Sequence, residues 1–186
     1  MKTMPFKQTS QSINYIECHD NYTFYDKLYY LHNIKEDNKL IDYCKLGLGL
    51  VIISEGIPFI HAGSELMRSK KGYDNSYNLN DDINLMPWQN LNSKYDLSKY
   101  VSDLIKIRKK IDNKNLGRCF VRDNYYEIRY SEDIYQVIIK NNYEEEDKYF
   151  VPGTKLIFNN EQEVDVNCES LYLNKPGIWV LRKWKG

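Results

Sequence analysis

Two short β-prone runs with one long helical pattern between them limit what this chain can become. Ile13, Tyr15 and Ile16 make the first run, and Ile57 to His61 the second. Between them, Leu40, Cys44, Leu48 and Val51 repeat at i, i+4, i+8 and i+11, with Ile41 and Ile52 beside them, which predicts a helix over 37–55. Glu36 and Asp37 suit the positive end of that helix, and Gly56 suits the C′ position beyond it. Gly47 and Gly49 cost helix stability, so they predict close packing against a neighbour. Strand, helix and strand in this order form a right-handed βαβ unit with parallel strands. The carboxyl ends of both strands then lie on one face. The first ends in Glu17, His19, Asp20 and Asn21; the second is followed by Gly63, Ser64 and Glu65. An acid and an imidazole delivered at the carboxyl end of a parallel strand fit an α/β enzyme site. Taken alone, a His-Asp pair after a strand is more often a hydrogen-bonded pair that tethers a loop.

Composition excludes some partners. Lys+Arg and Asp+Glu both total 26 in 186 residues, and zero net charge argues against nucleic acid or an anionic membrane as the main partner. Cys18, Cys44, Cys119 and Cys168 are far apart and form no CxxC, so they read as free thiols without a zinc framework. Met1 to Gln11 is polar and carries no signal peptide, which makes a cytoplasmic location the expectation. The longest apolar stretch, 46–53, is far short of the ~20 residues of a membrane span. The 17 tyrosines reflect a bias that also enriches Asn, Lys and Ile; carbohydrate stacking is the functional alternative.

Residues 21–33 read as a loop with a helical turn, and 62–95 as a long loop too extended to be idle in a compact domain. Leu97, Val101, Leu104, Ile105 and Ile111 predict an amphipathic helix capped by Asp96 or Ser98. After Asn115 the pattern changes to short β-prone runs at 118–121, 125–131, 134–141, 148–151, 155–158, 170–173 and 178–184. Asn141-Asn142, Pro152-Gly153, Asn159-Asn160 and Pro176-Gly177 separate them as turns, which predicts a small antiparallel β-sandwich. The expected domains are therefore 1–114 and 115–186.

Two strands cannot cover themselves, so the first domain reads as part of something larger. The run Asn14-Tyr15-Ile16-Glu17-Cys18-His19-Asp20-Asn21, with Thr23 and Asp26-Lys27-Leu28, resembles the last conserved region of the α-amylase superfamily of glycoside hydrolases. More narrowly it resembles the pullulanase-type debranching enzymes. Gly56 to Gly63 with Glu65 is similar to their eighth-strand segment. Lys71-Gly72, Asn75 to Asn78, Asp81, Ile83-Asn84 and Trp88 resemble the loop that follows. Ser64, where the family often has glutamine, and the apolar Leu85-Met86-Pro87 depart from the pattern.

The resemblance implies a C-terminal fragment of a retaining hydrolase that cuts α-1,6 branch linkages. In fold it implies α/β plus all-β: the last two strands of a TIM (β/α)8 barrel with their helices, then the β-sandwich. A retaining glycosidase needs a carboxylate nucleophile and a carboxylic acid, and the family draws both from earlier strands, so the fragment is expected to be inactive alone. The resemblance gives Asp20 the role of transition-state stabiliser and His19 that of its neighbour on the sugar hydroxyls. Asn21, Asn75, Tyr77, Asp81 and Asn84 become substrate-binding candidates. The competing reading of the last four is that they order their own loop through Asx-type turns. Glu65 is expected to bond backbone at the strand end, Trp88 to pack, His32 to lie at the surface, and His61 to be a satisfied strand-end histidine. No cofactor and no metal site is expected, calcium being open only for the parent enzyme. The partners implied are an α-glucan and a separate chain carrying the rest of the barrel. A glucan-binding or structural module is the alternative function.

Overall fold

A computed structural model describes residues 7–91, 96–111, 117–130, 134–144 and 146–183, in two compact units, Met1–Val101 and Ser102–Gly186. The boundary read from the sequence, 114/115, lies outside the described residues. No helix among the described residues is long and apolar enough to cross a membrane.

In the first unit, β1 (Ile13–Asn14) pairs in parallel with β2 (Ile57–Pro58), Ile13 opposite Ile57 and Asn14 opposite Pro58. The expected parallel pairing is present, but each strand is two residues long. The reason is the ladder itself. Ile57 N–H donates to the Ser12 carbonyl (2.8 Å) and Phe59 N–H to that of Asn14 (2.9 Å), while Pro58 between them has no donor. Among the described residues neither strand has a second neighbour. Ile13, Tyr15, Ile57 and Phe59 stand out on one side at 46–61% exposure.

Helix α1 is a single turn, Phe24–Asp26, whose first free N–H groups are met by Thr23: its Oγ1 accepts from Asp26 N–H at 3.1 Å. It runs on into a wider π turn, Lys27–Leu31, so the stretch read as a loop is largely helical. Helix α2 (Asp37–Ile53) ends two residues earlier than expected. Leu40, Ile41, Cys44, Leu48, Val51 and Ile52 on it are 0–4% exposed. Gly56, at φ +100°, sits beyond the cap rather than at C′. Gly47 does mark a close approach, since a Cβ there would overlap the Phe24 ring and crowd Ile16. The long loop contains 3-10 turns at Ser64–Leu66 and Trp88–Asn90 and a short helix, α3 (Asp81–Asn84). Asp96, not Ser98, caps α4 (Leu97–Lys110): its carboxylate accepts from Lys99 N–H at 3.0 Å. Tyr100 and Ile107 join the buried stripe, and Ile105 is only half-buried.

The second unit holds six antiparallel strands: β3 (Arg118–Val121), β4 (Tyr126–Tyr130), β5 (Tyr135–Lys140), β6 (Asp147–Asn159), β7 (Glu163–Leu173) and β8 (Gly177–Lys183), in the order β3-β4-β5-β8-β6-β7. Two expected strands, 148–151 and 155–158, are one. Pro152-Gly153 is a bulge inside β6 rather than a turn, with Gly153 at φ +70°. The bulge divides the strand's partners. Thr154–Asn159 lies between β7 and β8, whereas Asp147–Phe150 pairs with β7 alone. The freed ribbon brings Val151, Leu171 and Leu173 into one buried cluster with Ile138, Trp179 and Leu181 of β5 and β8. A sandwich-like core thus forms within one continuous sheet.

Gly177 permits a second close approach. Asn160 is 1% exposed and at φ +71°. Its carboxamide accepts from Ile178 N–H at 2.8 Å and donates to the Pro176 carbonyl at 3.3 Å, lying across Gly177 in the space a Cβ would fill. Gly177→Ala should expel that side chain and leave buried polar groups unmet, a loss of about 1–3 kcal/mol. A lowered urea midpoint with unchanged m-value is the expected result.

Candidate functional site

The site is built from the bottom by one buried carboxylate. Asp26, fixed at the end of α1 by the Thr23 cap, is 0% exposed. It accepts from the Ser69 hydroxyl (2.5 Å), Lys70 N–H (2.7 Å) and Gly72 N–H (3.4 Å). Three donors on one carboxylate fold the 69–72 segment over it, and charge-assisted bonds of this kind are the strong ones. Lys70 is carried inward to 2% exposure. Its ammonium donates to the His19 carbonyl (3.2 Å) and the Asp74 carbonyl (2.7 Å). One cation therefore ties the end of the first strand segment to the start of the Asn75–Tyr77 stretch. Burial lowers the Lys70 pKa, helped by Arg68 and opposed by Asp26, Asp74 and Asp20.

Beneath this lies Glu17, 5% exposed, which accepts from Phe24 N–H and the Ser64 hydroxyl. The Ser64 hydroxyl also lies 2.6 Å from the His61 carbonyl. Glu17 thus bolts the segments following β1 and β2 together. Its charge adds to burial in pushing the Cys44 thiol up to about 12, so Cys44 is an inert core thiol. His61 was expected to be satisfied, but its buried Nδ1 has no hydrogen-bond partner among the described residues. Burial lowers the His61 pKa; Arg68, Lys70 and His19 lower it further, and only Glu17 pulls it up.

Each residue singled out in the sequence can now be located. His19 and Asp20 form an exposed pair, Nε2 to Oδ2 3.5 Å, with side chains 85% and 71% accessible. Asn21 follows at φ +63°, a conformation Asn tolerates better than most residues. Asn75 and Tyr77 are exposed, Tyr77 at 84%. Lys70 brings the backbone before Asn75 to that of His19, so these residues share a neighbourhood. Asp81 is exposed at the start of α3. Asn84 is occupied within its own loop: its amide donates to the Ser76 (2.7 Å) and Leu79 (3.1 Å) carbonyls and its oxygen accepts from the Ser76 hydroxyl (2.8 Å). Glu65 accepts from Gly63 N–H at 3.0 Å, a backbone bond as expected. Trp88 does not pack; it is 65% exposed.

A cleft of about 700 Å³ opens elsewhere in this unit, walled by Asp37, Glu65, Met67, Met86 and Leu97 with the Lys71–Asp82 ion pair (2.9 Å). The candidates His19, Asp20, Asn21, Asn75, Tyr77, Asp81 and Asn84 do not line it, whereas Glu65 does. Cys18, His19 and Asp20 place potential ligand atoms within 4.8 Å of one another. Three donors on one exposed turn fall short of the four-ligand shell of a structural zinc site.

No protein-family model matches the chain. The Bacillus subtilis (strain 168) pullulanase is 37% identical over 102 residues, covering 55% of this chain and 14% of that protein. The Flavobacterium sp isoamylase is 28% identical over 123 residues, 53% of this chain and 16% of that one. A pullulanase complexed with maltotriose, from Anoxybacillus sp. LM18-11, superposes with a TM-score of 0.81 at 25% identity, over 96% of this chain and 28% of that chain. The type I pullulanase of Bacillus subtilis str. 168 complexed with maltose gives 0.79 at 26% identity, over 94% and 28%. The chain's relatives are pullulanase-type debranching enzymes. It spans about a seventh of the length of the two curated relatives and under a third of these solved ones.

Beside the pullulanase-type motifs, the sequence left Glu17, Asp26 and Lys70 without a role. Thr23 three residues before Asp26 was a legible cap. Nothing local announces that Lys70 reaches His19, 51 residues away.

Two outcomes follow. Lys70→Met should free the His19 and Asp74 carbonyls and speed amide hydrogen exchange across 19–21 and 74–77 more than in α2. The unfolded chain takes up a proton on histidine before folded His61 does, so below the ordinary value of 6.5 acid should cost stability. Between pH 7.5 and 5.5 the urea midpoint of the wild type should fall further than that of His61→Asn.

Proposed function

We propose that this chain is the C-terminal part of a retaining, pullulanase-type glycoside hydrolase acting on α-1,6-glucosidic branch linkages of starch, glycogen or pullulan. The observation that carries it is the exposed His19–Asp20 pair in the segment that follows the parallel strand β1, its backbone held by the buried Lys70 ammonium. In this reading residues 1–114 supply the seventh and eighth strands of a (β/α)8 barrel with their helices, and 115–186 the β-domain. Asp20, ionised, steadies the oxocarbenium-like transition state, while His19 and Asn21 meet hydroxyls of the scissile sugar. Asn75, Tyr77 and Asp81 line the adjoining subsite, and Asn84 shapes it from within the loop. The nucleophile and the general acid come from sequence outside these 186 residues, so the isolated chain does not turn over substrate. No metal takes part in the role assigned to these residues, and the surroundings are cytoplasmic.

The exposed face of Ile13, Tyr15, Ile57 and Phe59 favours a further reading, in which a second chain carries the remaining strands. Parallel sheets are buried on both faces, and here one face and both outer edges lack cover among the described residues.

The test combines both points. The isolated chain should release no reducing sugar from pullulan above an Asp20→Asn control. With the rest of the barrel supplied by fusion or as a second polypeptide, Asp20→Asn should lower kcat by roughly 10²–10³, the scale of losing one preorganised electrostatic partner. His19→Ala should cost less, since hydroxyl contacts are worth ~1–3 kcal/mol. Near-normal kcat in a stable Asp20→Asn enzyme would return the pair to a loop tether.

A further inference from the structure

The outer face of the β6–β7 ribbon carries an arrangement that the sheet's own core does not use. Lys148 and Phe150 are two apart on β6 and share a face. Tyr172 stands opposite Lys148, and Ser170 opposite Phe150, so all four side chains emerge together. Their neighbours Tyr149, Val151, Leu171 and Leu173 point the other way, into the buried cluster. The Phe150 and Tyr172 rings are 68% and 56% exposed. The Lys148 ammonium lies 5.0 Å from the centre of one ring and 5.3 Å from that of the other. Phe150 and Tyr172 hold diagonal positions of the ladder, about 7–8 Å apart along it. Two exposed rings thus stand at neighbouring positions of one face, with the Lys148 ammonium within reach of both and the Ser170 hydroxyl beside Phe150.

We propose that this platform is a second α-glucan-binding site, separate from the His19–Asp20 region. The ligand class rests on the function proposed above; the site itself rests on the ribbon. The alternation of surfaces decides the chemistry. A protein interface of this size would place an apolar core where Lys148 stands, and lysine is depleted in interface cores. A glucan chain presents apolar ring faces and a rim of hydroxyls in turn. Its sugar rings can lie on Phe150 and Tyr172 while the Lys148 ammonium and Ser170 hydroxyl meet the rim. Cation–π contact with both rings holds the ammonium in place before any ligand arrives. The opposite face of the ribbon is anchored in the core through Val151, Leu171 and Leu173. A chain held here would keep a long branched substrate near the enzyme without taking part in bond cleavage.

The test uses the full 186-residue chain and needs no catalysis. Its migration in native gels containing soluble amylopectin should be retarded, and titration with maltohexaose should give a measurable Kd. Phe150→Leu and Tyr172→Leu keep apolar bulk and remove the flat ring. Each should weaken binding about tenfold, the upper range for one aromatic contact, and both together should abolish retardation. Thermal unfolding should be unchanged, because neither ring enters the core. Phe150→Tyr should bind as the wild type does. If the wild type is not retarded, or the double variant still is, the platform is not a glucan site. Retardation abolished by Tyr77→Ala but untouched by the ribbon variants would overturn this inference and leave the proposed function standing. A change in sedimentation in the ribbon variants, without a change in glucan affinity, would make the face a contact between copies and also overturn it.

Discussion

The first unit depends on the buried Asp26 carboxylate and the lysine it draws in. Removing a carboxylate and an ammonium from water is expensive unless their hydrogen-bonding capacity is met. Asp26 accepts from three donors of the 69–72 segment, and Lys70 spends its ammonium on two backbone carbonyls. Neither charge is paired directly with the other's side chain; they are coupled through the Lys70 backbone. The result is a fixed geometry for two surface stretches, 19–21 and 74–77, which have little regular structure of their own.

The second unit reaches a core by another route. Its bulge at Pro152-Gly153 lets β6 leave β8 and cover the Ile138, Trp179 and Leu181 face with Val151 and the end of β7. The same step turns Lys148, Phe150 and Tyr172 outward. Burial of alternate residues and display of the others are one event, since side chains along a strand alternate in direction. A platform and a hydrophobic cluster can therefore share a ribbon without competing.

The cleft and the His19–Asp20 pair are separate features of the first unit. The cleft of about 700 Å³ is walled by Asp37, Met67, Met86 and Leu97 with the Lys71–Asp82 pair, whereas His19 and Asp20 stand exposed outside it. In an α/β enzyme the chemistry gathers at strand ends and the walls come from several strands. Two strands of two residues cannot build those walls.

Periodicity and motif order in the sequence determined the βαβ unit, its parallel pairing, the α2 and α4 helices, the all-β second unit and the likeness to pullulanase-type enzymes. These depend on interactions a few residues apart or on patterns of burial, which a chain carries in its composition. The backbone role of Glu65 was legible for the same reason. Strand length was not, because it depends on how many neighbours a strand has. Nor was the continuity of β6 through Pro152-Gly153, since a Pro-Gly pair suits a turn and a bulge alike. Trp88 and His61 were assigned by residue type, and the fold put one at the surface and left the other with an unmet nitrogen. Only the tertiary structure decided that Lys70 holds His19 and that Glu17 joins the two strand ends. Those contacts close loops of 51 and 47 residues, and no local signal encodes which distant carbonyl or hydroxyl a buried charge will meet.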